Sequence, residues 1–287
     1  MTSASIAMCT YNGARFLQRQ LESLSTQTVQ PSELIICDDS SSDESVAIAQ
    51  KFAAAAPFPV RVHKNSSNLG YVKNFEKAIS LCTQDIVFLC DQDDIWNSRK
   101  LELVLEIFAT EPEVGLVLHD FDRIDDVDQS WVGPIDTYGP NHLSANDLPE
   151  EIKRNSIDVF MRPYPRAWCG CMMAFRRRYN EIVLPIFPGK GHDDWILKIL
   201  APITEIRFIA QPLTHYRMHQ NNTNRRDLRS RTLAYLLNRA LKKIHLALSG
   251  QTKSNFYKEI IKRLTSHEVN IQNQELINKY KNYIKFL

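Results

Sequence analysis

The sequence predicts an α/β protein built on a doubly wound, parallel or mixed sheet flanked by helices. Three observations carry this expectation. Short apolar runs rich in strand formers alternate with amphipathic stretches through the first half of the chain. Ile86, Val87, Phe88, Leu89 and Cys90 form a continuously apolar run, which suits a central strand covered on both faces. Polar residues gather directly behind the apolar runs, at Thr10 to Gly13, Asp38 to Asp43 and Asp91 to Asp94. In open α/β sheets, ligands collect at those strand ends.

In chain order, Ser5 to Cys9 reads as a strand, Ala14 to Ser25 as a helix and Glu33 to Cys37 as a second strand. A helix follows over Ser45 to Ala55, with Ser42 or Asp43 available to cap it. Val60 to His63 reads as a strand, Val72 to Leu81 as a helix, and the apolar run ending at Cys90 as the next strand. Trp96 to Phe108 is helix-like and Val114 to Leu118 strand-like. Beyond them, residues 120 to 165 hold Asp, Gly, Pro and Asn clusters and read as a long excursion over the sheet. Such excursions are uncommon unless functional. Regular structure is expected again at Trp168 to Phe175, in a short helix after Arg176, in a helix from Asp194 to Leu200 and in a strand from Ile206 to Ile209, with helices after that.

A 287-residue chain that is 44% hydrophobic can bury the core of one large domain with an appendage. Its apolar runs are only a handful of residues long, against the roughly 18 to 20 needed to cross a bilayer. The start of the chain carries neither a basic region nor a long apolar one. A cytoplasmic protein without a transmembrane helix is therefore expected. Cys9, Cys37, Cys82 and Cys90 lie in or beside apolar segments, as free thiols behaving like small hydrophobes do. Cys169 and Cys171 form a lone C-x-C, read as core or pocket-lining thiols.

The net charge of +2 hides an asymmetry. Residues 225 to 287 carry 14 Lys or Arg against 4 Asp or Glu, whereas residues 1 to 224 carry 21 against 29. Within this basic tail Leu233, Leu237, Leu241, Ile244 and Leu248 recur at helical spacing, with Arg239, Lys242 and Lys243 towards another face. Such a helix can lie on an anionic membrane surface or simply pack on the main domain. Nucleic acid is not an expected partner.

The acidic run Asp91, Gln92, Asp93, Asp94 follows the central strand. Two carboxylates one residue apart can share Mg²⁺ or Mn²⁺ and leave coordination positions open for phosphate oxygens. The plainer alternative is that Asp94 or Asn97 caps the next helix. Thr10-Tyr11-Asn12-Gly13 lacks both the dinucleotide-binding and the phosphate-loop glycine fingerprints, but suits stacking and hydrogen bonding to a base. A carboxylate at Asp38 or Asp39 can accept the imide N–H of uracil or thymine.

These motifs, together with Asn68-Leu69-Gly70, Gly191-His192-Asp193-Asp194-Trp195 and Tyr216-Arg217-Met218-His219, resemble a family 2 glycosyltransferase of GT-A fold. The resemblance runs over roughly residues 4 to 223 and is closest in flavour to bacterial rhamnosyltransferase-like enzymes. It implies a GT-A domain over 1–224, with a nucleotide-sugar half at 1–118 and an acceptor half at 119–224, followed by a basic helical extension at 225–287. Thr10, Tyr11, Asn12, Asp38 and Asp39 would line the nucleotide site, with Tyr11, Asn12 and Asp39 on the base and ribose. Asp91 and Asp93 would form the DxD-like motif, Asp93 on the metal and Asp91 nearer the ribose, and His219 would reach the metal or diphosphate. Asn68 and Gly70 match the loop after the third strand. Lys73 stands in for a phosphate-neutralising arginine that usually lies a few residues further on. Asp193 matches the catalytic base, with Asp194 as its backup.

The chemistry can also be argued from the residues. Sugar transfer to a hydroxyl needs a stabilised diphosphate leaving group, which a divalent cation supplies, and a base for the hydroxyl proton. One base and no carboxylate nucleophile implies inversion at the anomeric carbon. His192 either orients the neighbouring acids or meets the acceptor. Trp168 and Trp195 offer an acceptor a flat wall, or belong to the core. The expected protein is a metal-dependent inverting glycosyltransferase of bacterial surface polysaccharide synthesis, O-antigen or capsule. The resemblance alone implies dTDP-rhamnose as the donor; the acceptor is expected to be a saccharide or a lipid-linked one, and the place the cytoplasm, peripheral to the inner face of the plasma membrane. The alternatives are a nucleotidyltransferase acting on sugar phosphates and a non-catalytic nucleotide-sugar-binding scaffold.

Overall fold

A computed structural model describes residues 2–130, 168–188, 191–220, 222 and 255–266. Strands β1 (Ala4–Thr10), β2 (Glu33–Asp38), β3 (Val60–Lys64), β4 (Ile86–Cys90), β5 (Ile95–Trp96), β6 (Val114–Ile124), β7 (Met173–Arg176) and β8 (Glu205–Arg217) form one sheet in the order β3-β2-β1-β4-β7-β6-β8-β5. The first four are mutually parallel, β7 runs antiparallel to both neighbours, and β6 and β8 pair in parallel. The helices are α1 (Ala14–Ser25), α2 (Ser45–Ala55), α3 (Tyr71–Leu81), α4 (Lys100–Thr110), α5 (Asn180–Val183), α6 (His192–Leu200) and α7, the stretch 255–266.

Strand alternation divides the interior into two layers. Ile6, Met8, Leu34, Ile36, Phe88 and Cys90 face α1, α2 and α4. Ala7, Cys9, Ile35, Cys37, Val87 and Leu89 face α3, α6 and α7. The central strands are buried on both faces, which is why they read as continuous apolar runs. All six cysteines are free and buried. Among the described residues no helix is long and apolar enough to cross a membrane.

Three segments depart from the sequence expectation. Trp96 does not open a helix. Ile95 and Trp96 pair with His215 and Thr214 on β8, the Trp96 N–H donates to Ser23 Oγ at 3.1 Å, and α4 begins only at Lys100. A β-branched and an aromatic residue suit that short strand. Strand β6 runs on to Ile124, and β8 spans 13 residues where only four were expected. Both strands are broken by register shifts around His119 to Phe121, where Pro212 is accommodated at the irregularity. Those interruptions, with alternating charges, hide the strands from a periodicity reading. Residues 131–165 of the expected excursion, and the Leu233 to Leu248 helix, lie outside the described residues.

One part of the basic tail packs on the main body. Phe256, Ile260 and Leu264, spaced four apart, enter the core, and Phe256 meets Trp195 and Phe187 edge-on at 5.6 and 5.3 Å. Arg263 lies over the Trp195 ring and donates to the Ile182 carbonyl at 3.2 Å. Phe256→Ala is expected to cost about 3–5 kcal/mol of stability, measured by denaturant unfolding; a loss below about 1 kcal/mol would mean that α7 does not hold this position.

Across β6 and β8, Asp122 and His215 are register partners, and the carboxylate holds the imidazole above its ordinary pKa. A raised folded-state pKa adds stability that is complete below the unfolded value, about 6.5, and is lost as pH rises through the folded value. His215→Gln is therefore expected to lower Tm more at pH 5.5 than at pH 8, and an equal deficit at both would remove the ion pair from the account.

Candidate active site

The cleft opens at the carboxyl ends of β1, β2 and β4, and hydrogen bonds between its loops fix its shape. After β1, the Gln92 side-chain amide clamps the Tyr11 backbone: the Tyr11 N–H donates to Oε1 at 2.8 Å and Nε2 donates to the Tyr11 carbonyl at 3.1 Å. A Cβ on Gly13 would fall 2.1 Å from Gln92 Oε1, so only glycine admits the clamp. Asn12 adopts a positive φ of 47°, donates its N–H to Ser41 Oγ and accepts from the Ser42 N–H. Tyr11 is left 46% exposed at the mouth.

Asp38 and Asp39 shape this rim from within. Asp38 accepts from Thr10 Oγ1 at 2.7 Å and from both the N–H and the hydroxyl of Ser41. Asp39 accepts from Asn65 Nδ2, the Leu69 N–H and the Gly70 N–H at 2.9, 2.7 and 2.9 Å. Gly70 holds φ 81°, open to glycine at no steric cost, and Asn68 donates to the Asp39 carbonyl. Both carboxylates are thus buried and already carry three donors, where the sequence suggested acceptors free for a base. Lys73 likewise is bound to Glu76 by both carboxylate oxygens at 2.8 and 2.9 Å on exposed α3 surface, rather than standing free to neutralise a phosphate.

The acidic loop after β4 is the electrostatic centre. His219 Nε2 lies 2.8 Å from Asp93 Oδ2. The fully buried Arg217 ties the loop in place through Asp93 O and Asp125 O, both at 2.7 Å, and an ion pair with Asp128. Its backbone N–H donates to Asp94 Oδ1, and Phe16 supports both Arg217 and His219 at 4.7 and 4.8 Å. Burial, followed by the charges of Asp93 and Asp193, pushes the Asp91 carboxyl up to about 7. Asp94 is raised too, chiefly by burial and then by Asp93 and Asp91. Beneath them lies Lys100, fully buried, donating to Cys171 O at 2.8 Å and Thr214 Oγ1 at 3.0 Å, with its ammonium 3.5 Å from the Trp96 ring. Burial brings that ammonium down to about 8.

The start of α6 closes the cleft. Asp193 and Asp194 both occupy its first turn, but they differ in employment. Asp194 forms an ion pair with Lys198 at 2.6 Å, whereas among the described residues Asp193 Oδ1 accepts only from the Asp194 N–H, and its charge is felt at Asp91. His192 is buried, stacked on Phe75 at 3.9 Å, and burial lowers its pKa. Trp195 is fully buried, its indole N–H donating to the Val183 carbonyl at 2.7 Å. Trp168 is buried edge-on against Phe208. Neither tryptophan presents a wall to an acceptor; both fill the layer beneath α6 and the sheet.

The cleft therefore gathers Tyr11, Asn12, Asp91, Asp93, His219 and Asp193, and turns Asp38, Asp39, Lys73, Asp194 and Trp195 to internal partners. Gln92, Lys100 and Arg217 are site-shaping residues that sequence reasoning passed over. Lys100 had a signal: it shares a four-residue spacing with the buried Val104 and Phe108, so a charge falls on the apolar face of α4. Asp93 meets His219 at 2.8 Å and its charge contributes to raising Asp91, so a divalent cation bound beside these two carboxylates would gain from both. A further set, Asp91, Asp94 and Cys171, brings one donor atom each within 4.8 Å of the others.

The sheet order and the carboxylate-lined cleft at its strand ends define a GT-A fold, and the neighbours agree. Staphylococcus aureus TarS 1-349 in complex with UDP-GlcNAc superposes with a TM-score of 0.60 at 15% identity, covering 99% of this chain and 72% of that one. The mannosyltransferase PcManGT from Pyrobaculum calidifontis, in complex with GDP-Man and Mn²⁺, gives 0.55 at 15% identity over 98% and 69%. Residues 5–182 match the model of glycosyl transferase family 2, and the chain belongs to that family. An uncharacterized glycosyltransferase of Nostoc sp. is 30% identical over 226 residues, 77% of this chain and 66% of the relative. The chain spans 58–66% of the length of the curated relatives that match it most extensively.

Proposed function

We propose that the protein is an inverting glycosyltransferase that moves a sugar from a nucleoside diphosphate onto an acceptor hydroxyl. The observation that carries the reading is that the Asp93–His219 pair and Asp193 both act on Asp91, while Asp194 is diverted to Lys198 and Asp193 has no cationic partner among the described residues. Tyr11 and Asn12 are exposed at the end of β1, where the base would lie, and Thr10, Asp38, Asp39, Asn68 and Gly70 preorganise that pocket. Asp91 orients the ribose and, with Asp93 and His219, holds Mg²⁺ or Mn²⁺; bound there, the cation would offset the charge of the departing diphosphate. Asp193 takes the acceptor proton as the hydroxyl attacks the face opposite the leaving group. With Asp193 as a single base and no covalent intermediate in the scheme, the displacement inverts the configuration.

The finer reading keeps a deoxyhexose donor, with dTDP-rhamnose first, and an acceptor in bacterial surface polysaccharide. UDP-GlcNAc and GDP-mannose, the donors of the structural neighbours, are the comparison substrates. Residues 1–224 act as the transferase unit and 225–287 as a basic extension. Its excess of ten positive charges favours an anionic membrane at the cytoplasmic face, where a lipid-linked acceptor would be met. Donor hydrolysis tests the reading. Slow, metal-dependent release of nucleoside diphosphate without acceptor is expected. Release of pyrophosphate would favour nucleotidyl transfer, and no turnover with any donor would favour a binding scaffold.

A further inference from the structure

We propose that Cys169, Cys171 and Asp94, with Asp91 at the entrance, form a site for a thiophilic divalent cation such as Zn²⁺, separate from the Asp93–His219 pair. The two sulfurs lie 3.1 Å apart, and both residues are buried, Cys169 7% and Cys171 0% exposed. Cys171, Asp94 and Asp91 each offer a donor atom within 4.8 Å of the other two. Buried thiols alone would be ordinary packing. Asp94 supplies the second observation: it is 1% exposed, one oxygen accepts from the Arg217 N–H, and Oδ2 has no hydrogen-bond partner. Buried polar atoms of folded proteins are nearly always paired, so an orphaned oxygen on a carboxylate grouped with the Cys171 thiol, itself in contact with Cys169, is a ligand atom open to a cation.

The chemistry selects the ion. Mg²⁺ and Mn²⁺ prefer oxygen, whereas two thiolates and a carboxylate suit a softer cation. Zn–S bonds of about 2.3 Å place two sulfurs roughly 3.7 Å apart in a tetrahedral site, so the sulfurs need to open by about 0.6 Å from their 3.1 Å separation. Asp91, half-buried at the cleft, gives the ion its path inward. Binding replaces the two thiol protons, which leave to solvent, and involves no change of oxidation state. Resting on the glycosyltransferase reading, a further consequence is inhibition, because an ion that engages Asp91 withdraws it from the donor.

The test uses the full chain, kept reduced with a phosphine, and Cd²⁺ as the spectroscopic probe. A saturable sulfur-to-metal charge-transfer band of one equivalent is expected, displaced by Zn²⁺ and unmoved by millimolar Mg²⁺. Cys169→Ser and Cys171→Ser should each halve the band, and Asp94→Asn should weaken binding about tenfold or more without changing the band at saturation. X-ray absorption of the wild-type Zn²⁺ complex, which needs no variant to fold, should show two sulfurs in the coordination shell. No band, a band indifferent to both serine variants, or a shell of nitrogen and oxygen only would overturn the site. None of these readouts depends on sugar transfer, so this proposal and the catalytic one fail separately.

Discussion

Asp193→Asn is expected to lower sugar transfer by about 10²- to 10⁴-fold, or roughly 3–5 kcal/mol of transition-state stabilisation, while donor binding is retained. Asp193 stands in the first turn of α6 with no cationic partner among the described residues, whereas its neighbour Asp194 is committed to Lys198 at 2.6 Å. Asparagine can keep the contact with the Asp194 N–H but cannot take a proton from an acceptor hydroxyl. It also removes one of the like charges that raise Asp91, so donor and metal affinity should hold. Asp194→Asn provides the contrast, since losing a partly exposed helix ion pair costs under about 1 kcal/mol and should leave transfer within a few-fold of normal. Kinetics of both variants check the assignment; equal losses in the two would mean the structure has not distinguished the base.

Asp93→Ala is expected to damage donor binding as well as turnover. It removes both carboxylate oxygens from the loop and leaves His219 Nε2 without the acceptor 2.8 Å away. Loss of a charge-stabilising group typically costs about 10²- to 10³-fold in turnover, and Mn²⁺ affinity should fall by about 100-fold or more. Arg217 grips the Asp93 carbonyl rather than its side chain, so the loop should keep its course. Unfolding midpoints near the wild-type value would confirm this, and calorimetry with Mn²⁺ gives the affinity. Unchanged Mn²⁺ binding in Asp93→Ala would move the metal away from the pair.

Much of this architecture was legible in the chain. The β1 to β4 half was readable because its strands are apolar on both faces and its helices carry regular stripes, so α2 and α1 were placed at their observed ends. The later half of the sheet was less readable. β6 and β8 carry charged residues, a proline and register shifts that break any regular alternation, although β6 stays buried along most of its length. Among site residues, position at a strand end was informative but side-chain employment was not. Asp38 and Asp39 look like free acceptors in sequence, yet their partners come from residues up to 31 positions away. The same holds for Trp195: a tryptophan beside two acids resembles a sugar platform until Phe256, far along the chain, is found packed on it. Contacts between distant segments decide these cases, and local pattern does not carry them.

The most direct measurement is calorimetric binding of a panel of nucleoside diphosphate sugars to the intact chain, with and without Mn²⁺, beside Asp93→Ala. At least one donor is expected to bind with unit stoichiometry, gain affinity with Mn²⁺ and lose that gain in Asp93→Ala. Donor binding that ignores both Mn²⁺ and Asp93, or no binding across the panel, would contradict it.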